Sequence, residues 1–334
     1  MSGNPEAKAQ HYVPQMYLRR FASKHRGREN GKVDYFIHWF DKTEKEGRNH
    51  EQNIRKVAHE TRFNNATLPD GNTFSLETEL SSLENEFSPV LDAICARSKP
   101  FAEILAAYRV KLSLFVAVQA LRTPNVRAFV NECVLVNTRN NEDHMADALP
   151  IPRDVKVLAH LAGFTDALPK FASVIMQWRW SLAHNMTDTP LCTSDQPVLF
   201  DTLPEMGPPG MLKPGTVIYM PINPWLLLRV ADPDFNLEPE EKIFDPDLVL
   251  RLNRNQVWES RRFLYSSTKD FAFAQQMIAD IPALSISDRP YLDAAGRRTF
   301  TRRPSTAPTR RTVIRLDDSP GEDEPPVIFW LQDM

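Results

Sequence analysis

Two hydrophobic periodicities divide this chain, and their separation along it constrains the fold more than any single motif. Leu76, Leu80, Leu83, Phe87, Leu91 and Ile94 recur every three or four residues, which predicts an amphipathic helix from about Thr73. Pro89 should kink or interrupt it, because proline donates no backbone hydrogen bond. Residues 100–122 form a second helical run, apolar nearly all round from Leu112 to Leu121, as a central core helix would be. That run should stop near Thr123, since the residue before Pro124 is pushed out of the helical region. Further helices are expected at 125–138 and 153–163.

Beyond Gln177 the texture becomes strand-like. QWRWSLAHN, the turn-prone NMTDTP and LCTSDQPVLF predict a hairpin, and TVIYM and WLLLRV around PINP predict a second pair of strands. VDYFIHWF at 33–40 reads as an interior strand and RFLYSS as a closing one. Between them, FDPDLVLRLNRNQVWESR reads as a helix with Asp245 as N-cap and Pro246 in its first turn. Helical and strand-rich regions are segregated, so the expected class is α+β, with a helical layer packed on a largely antiparallel sheet and a mobile C-terminal tail. Residues 1–10 are expected to be a disordered start and 11–295 a single α+β domain. Its helical part spans about 73–165, and strands come from 33–40 and the strand-rich part at about 176–267. Residues 296–334 form the tail: seven arginines between Arg297 and Arg315, the acidic LDDSPGEDEPP, and VIFWL as a docking strand.

Composition narrows the functional classes. The formal charge is -3, from 40 basic and 43 acidic residues, so a nucleic-acid partner must be met by a local patch. Three scattered cysteines, Cys95, Cys133 and Cys192, argue against a disulfide framework or a cysteine zinc site. The dinucleotide, P-loop, hydrolase-elbow and zincin signatures are absent. No stretch reads as a membrane span or a signal core, which leads to the expectation of a cytoplasmic protein without membrane association.

The most distinctive string is HYVPQMYLRRFA, with His11, Tyr12, Val13, Pro14, Tyr17, Leu18, Arg19 and Phe21. It resembles the opening of an uncharacterised bacterial family, domain of unknown function 4238. IRKVAHETRF, LETELSSLE, QALRTP, TSDQPV and MPINP are similar to that family in the same order, so the resemblance runs from about residue 10 to 268. MPINP departs from it by placing Asn223 where a serine is usual. The resemblance implies candidate residues more firmly than chemistry.

Those residues form a plausible polar constellation. Glu77 and Glu84 are seven apart and lie within roughly 20° of one another on one helix face. At the edge of an apolar stripe, such carboxylates suit general acid or base work; a solvated face of ordinary glutamates is the competing interpretation. Gln119 and Arg122 share a face near the end of the apolar helix, where a guanidinium either caps carbonyls or clamps an anion. Asp195, within Thr193-Ser194-Asp195-Gln196-Pro197, is either an Asx-turn acceptor or a general base. His11 can transfer a proton near neutrality or serve as a packed anchor.

These readings converge on a hydrolase acting on nucleic acid, by phosphodiester or N-glycosidic cleavage, in defence against foreign DNA. Asp195, Glu84 and His11 would be catalytic; Arg19, Arg122, Gln119, Tyr17, Glu77, Thr193 and Ser194 would bind substrate. The alternative is a non-catalytic sensor or binding module for an anionic ligand or a nucleic-acid end. No cofactor is specified. Acidic residues from distant segments can gather a divalent metal, but no ligand spacing indicates one, and the oligomeric state is left open.

Overall fold

The computed structural model describes residues 9–28, 31–44, 48–141, 151–202 and 213–286. The expected disordered start falls almost wholly outside them, as does the arginine-rich and acidic tail with its VIFWL segment. Strand β1 (Ala9–His11) leads into α1 (Gln15–Leu18) and a 3-10 turn at Arg19–Phe21. Pro14 stands at the N-cap of α1, where its missing N–H costs nothing. Short strands follow: β2 (Lys24–Gly27), β3 (Val33–Asp41), β4 (Arg48–Asn53), β5 (His59–Thr61), β6 (Asn65–Thr67) and β7 (Thr73–Ser75).

Four long helices come next: α2 (Glu77–Ala96), α3 (Phe101–Leu121), α4 (Pro124–Asn141) and α5 (Arg153–Met176). Of the two expectations for Pro89, interruption does not occur: α2 runs through it as one helix. The carbonyl that Pro89 leaves unbonded belongs to Asn85, and both residues are exposed, so water can take its place. Likewise α5 continues well past residue 163 and through the exposed Pro169, because Phe164, Ala167, Phe171 and Ile175 extend its buried stripe. By length and composition α3 is apolar enough to cross a membrane, which corrects the reading that no stretch is; more than half of its apolar window is buried within the domain.

The remaining elements are β8 (Arg179–Asn185), β9 (Thr193–Ser194), β10 (Leu199–Thr202), β11 (Thr216–Asn223), β12 (Leu226–Ala231), β13 (Glu240–Ile243), α6 (Pro246–Glu259), β14 (Phe263–Ser266) and α7 (Ala272–Asp280). As expected, Asp245 caps α6, its side chain accepting from Asp247 N at 2.9 Å.

The class is α+β with largely antiparallel sheets, but the larger strands divide between two sheets. The first has the order β10-β11-β12-β8-β13, with only β13 parallel to its neighbour. The second has the order β2-β3-β14-β9, with β4 also paired to β3. The β11–β12 hairpin forms with a register shift between Pro221 and Asn223, at the proline bend. The hairpin expected between residues 177–185 and 191–200 does not. After β8 the chain crosses into the second sheet, where β9 pairs with β14, and it returns as β10 to pair with β11.

Alternation along β12 shows how the first sheet is covered. Leu226, Leu228 and Val230 join Phe87, Phe115 and Phe171 in the main core, whereas Leu227 and Ala231 face Val249 and Leu252 of α6. The sheet is thus sandwiched between the long helices and α6. The α1 segment lies where both sheets meet the helical layer, with Tyr17, Leu18 and Phe21 fully buried.

Candidate functional site

The HYVP segment, the start of α2 and the end of α3 build one polar cluster. Pro124 ends α3, and Arg122, at its C-cap, is turned inward to 2% exposure. Its Nη2 donates to Glu84 Oε1 at 2.8 Å and its Nε to Tyr12 O at 3.3 Å. Glu77, one face-repeat before Glu84, accepts from Asn64 Nδ2. Burial raises the Glu77 pKa, and the Glu84 charge adds to the rise, while Asn64 and Arg122 oppose it. His11 lies beside this group. Burial, then His59 and Arg122, lower its pKa to about 4, so the ring is neutral at physiological pH.

Around the ion pair, amides outnumber their partners. Gln10 bridges the strands by donating to Asn65 Oδ1 at 2.8 Å and accepting from Asn64 N at 2.6 Å. Yet Asn64 Oδ1, Asn65 Nδ2, His11 Nε2 and both amide atoms of Gln119 are buried without a hydrogen-bond partner. Each such atom costs about 1–3 kcal/mol unless a water or ligand group meets it. Asn64 and Arg122 line a recess with His160 and apolar residues from α2 and α5, closed in this conformation to a water-sized probe.

Asp195 occupies a different environment. It is 2% exposed, and its carboxylate accepts from the backbone N–H groups of Arg261, Arg262 and Phe263 at 2.7–2.9 Å. These partners belong to a distant loop leading into β14, so neither a local Asx-turn nor an open general base describes the residue. Burial raises its pKa; the three N–H groups and the nearby Lys42 ammonium act in the other direction. Thr193 and Ser194 are equally enclosed. Thr193 Oγ1 meets the Tyr17 hydroxyl at 2.9 Å, and Ser194 Oγ donates to Gln256 Oε1 at 2.6 Å.

The expected convergence of His11, Arg19, Glu84, Gln119, Arg122 and Asp195 on one site therefore needs correction. Glu77, Glu84, Arg122 and His11 come together, with Gln119 on the same helix face as Arg122. Tyr17 and Thr193 instead join the two sheets, Ser194 ties β9 to α6, and Asp195 holds the approach to β14. Arg19 points elsewhere, donating to Ser88 Oγ at 2.7 Å and Asp92 Oδ2 at 3.3 Å near the end of α2. Among the described residues, no three His, Cys, Asp or Glu side chains are grouped to hold a metal ion.

Residues 9–270 match the family described as Protein of unknown function (DUF4238). The chain belongs to this family. No curated protein and no solved structure matches it significantly. The Glu77, Glu84, Arg122 and His11 cluster and the Asp195 loop clamp both lie within the family's span.

Sequence reasoning missed Gln10, Asn64, Asn65 and His160. His160 is 1% exposed, with Nε2 3.1 Å from Leu121 O and Nδ1 3.3 Å from Arg127 Nη2. Burial and the Arg127 charge lower its pKa to about 3. A signal was available: His160 interrupts the apolar stripe of α5 between Val157 and Phe164, and Asn64-Asn65 interrupts the apolar Phe63 and Ala66. Polar residues on an otherwise apolar face are there for a partner.

Proposed function

We propose that this chain is a hydrolase that cleaves N-glycosidic bonds in nucleic acid, with Glu77 and Glu84 as its acid and base. The observation that carries the reading is the contrast between two carboxylates on one face of α2. Burial favours a proton on Glu77, whereas Glu84 pairs with the Arg122 guanidinium at 2.8 Å. Two carboxylates in unlike surroundings, one buried beside an amide and one paired with a guanidinium, suit the division of labour in glycosidic cleavage. Glu77 would give its proton to the departing base as the C–N bond breaks, and Glu84 would take a proton from the water whose oxygen bonds to the sugar carbon.

Charge chooses between the two cleavage chemistries. A phosphodiester transition state gathers negative charge and needs cations free to meet it. The Arg122 guanidinium is already engaged by Glu84 and Tyr12 O, and His11 and His160 are neutral. The cluster thus suits a developing cation better than a developing anion. Unpaired Asn64 Oδ1 and the Gln119 amide would then meet hydroxyl and base-edge groups of the substrate.

The alternative is a non-catalytic module in which the unpartnered Asn64 Oδ1 and Gln119 amide hold a ligand without chemistry. Incubation with modified and unmodified DNA and RNA, with and without divalent metal, separates the readings. The hydrolase releases free base and leaves abasic sites, and Glu77→Gln and Glu84→Gln abolish this while still folding. Binding without base release is the outcome that favours the non-catalytic module.

A further inference from the structure

Three large apolar side chains stand exposed at neighbouring strand ends of the first sheet. Met186 follows β8 and is 51% exposed, Trp225 lies in the β11–β12 turn at 41%, and Phe244 follows β13 at 69%. The backbone joins them: Asn185 N donates to Trp225 O and Met186 N donates to Ile243 O, both at 2.9 Å. Because β12, β8 and β13 are consecutive in the sheet, the three residues stand at one end of it, and the pairing of Leu226 with His184 and of Ile243 with Asn185 puts Met186 and Phe244 on one face and Trp225 on the other.

This end is built rather than loose. Asn185 Nδ2 donates to Thr189 O at 2.7 Å and Pro224 O at 3.2 Å, while its Oδ1 accepts from Thr187 N and Thr187 Oγ1 at 3.1 and 2.7 Å. Leu191 N donates to Pro224 O at 2.9 Å. Ordered apolar groups lose little further freedom when something docks on them. Beside them, β13 is the last strand of its sheet, and no described strand pairs with its outer edge. An open strand edge next to exposed aromatic residues suits an extended apolar segment, which gains main-chain bonds from the edge and burial from the side chains.

The geometry points to residues 327–331 of this same chain, VIFWL, as the occupant: the segment adds alongside β13, with Phe329 and Trp330 on opposite faces, so that one of the two rings covers Phe244 and Met186. It is the longest unbroken apolar run outside the described residues, and its β-branched and aromatic content suits a strand. The chain between Ile286 and Val327 extends to at most about 150 Å, so the tether puts no face of the domain out of reach. This docking is independent of the hydrolase reading.

Hydrogen exchange at the Glu240–Ile243 amides tests it, with the β12 amides as a control for intact folding. Full-length protein would be compared with a chain ending at Pro326 and with full-length Phe244→Asp. Docking predicts exchange at least about tenfold faster in both variants. A synthetic peptide of residues 325–334 should restore protection to the truncated chain but not once Phe244→Asp is added to it. Equal protection in full-length and truncated protein overturns the proposal. So does protection that vanishes on dilution together with a dimer in sedimentation, since the segment would then come from a second copy.

Discussion

Tyr17 and Thr193, 176 positions apart, meet hydroxyl to hydroxyl at 2.9 Å, and the same Tyr17 hydroxyl donates to Pro221 O at 2.5 Å. Its single proton is committed to the carbonyl, so Thr193 is the donor between the hydroxyls. One side chain thereby pins α1 to β9 of the second sheet and β11 of the first. Tyr17→Phe keeps the ring and leaves both partners buried and unmet. It should cost about 1–3 kcal/mol, seen as a melting temperature several degrees lower. An unchanged melt would show that the two sheets do not rely on this hydroxyl.

Asp195→Asn should behave as a folding mutation. An amide in that place presents an N–H group to the backbone donors of residues 261–263, where the carboxylate accepts from all three. A loss of about 2–4 kcal/mol is expected, measured by urea denaturation. Retained stability with lost base release would return Asp195 to the chemistry.

Glu77→Gln should separate chemistry from binding. Loss of a general acid typically lowers kcat by about 10²–10⁴-fold while KM changes little. Steady-state base release, with a melting curve alongside, gives both quantities. Equal effects on KM and kcat would instead make Glu77 a substrate-binding residue.

Acid should weaken the fold. His11 and His160 have folded pKa values lowered to about 4 and about 3, below the usual histidine value of about 6.5. Below about pH 6.5 the unfolded chain takes up protons that the folded chain refuses, so stability present above that pH is lost toward about pH 4. Glu77, with its raised pKa, acts in the opposite sense as pH rises above the ordinary carboxylate range. The histidine slope should dominate a melting series from about pH 7 to about pH 4, and His160→Gln should flatten it. A pH-independent melt contradicts the buried neutral rings.

Arg97 ends α2 in the left-handed region, with φ 48° and ψ 33°. Its side chain is exposed, so glycine forfeits no packing there. Arg97→Gly should stabilise the protein by about 0.5–1 kcal/mol, read as a modest rise in melting temperature.

Local patterns reported local structure well. The leucine spacing of α2, the Pro124 stop of α3, the Asp245 cap and the β11–β12 pair could all be read from neighbouring residues. Partners set by long-range pairing could not. Nothing in LCTSDQPVLF says that Thr193 will find Tyr17, or that Asp195 will hold a loop 66–68 residues further on. The same limit explains the site. Glu77, Glu84 and Arg122 lie on two consecutive helices and came out together, whereas Asp195 looked equally chemical until its three backbone donors were located.

The pairing of β3 with β14 sets a timetable for synthesis. Asp41 lies opposite Phe263, about 220 residues later in the chain. At roughly 5–20 residues per second, that side of β3 has no β14 beside it for about ten to forty seconds after it is made. Through that interval Phe40, which will end fully buried beside Phe271, has nothing to pack against from the far end of the chain. A chain that ends before residue 263 leaves this side of β3 as an open strand edge instead of a smaller working domain.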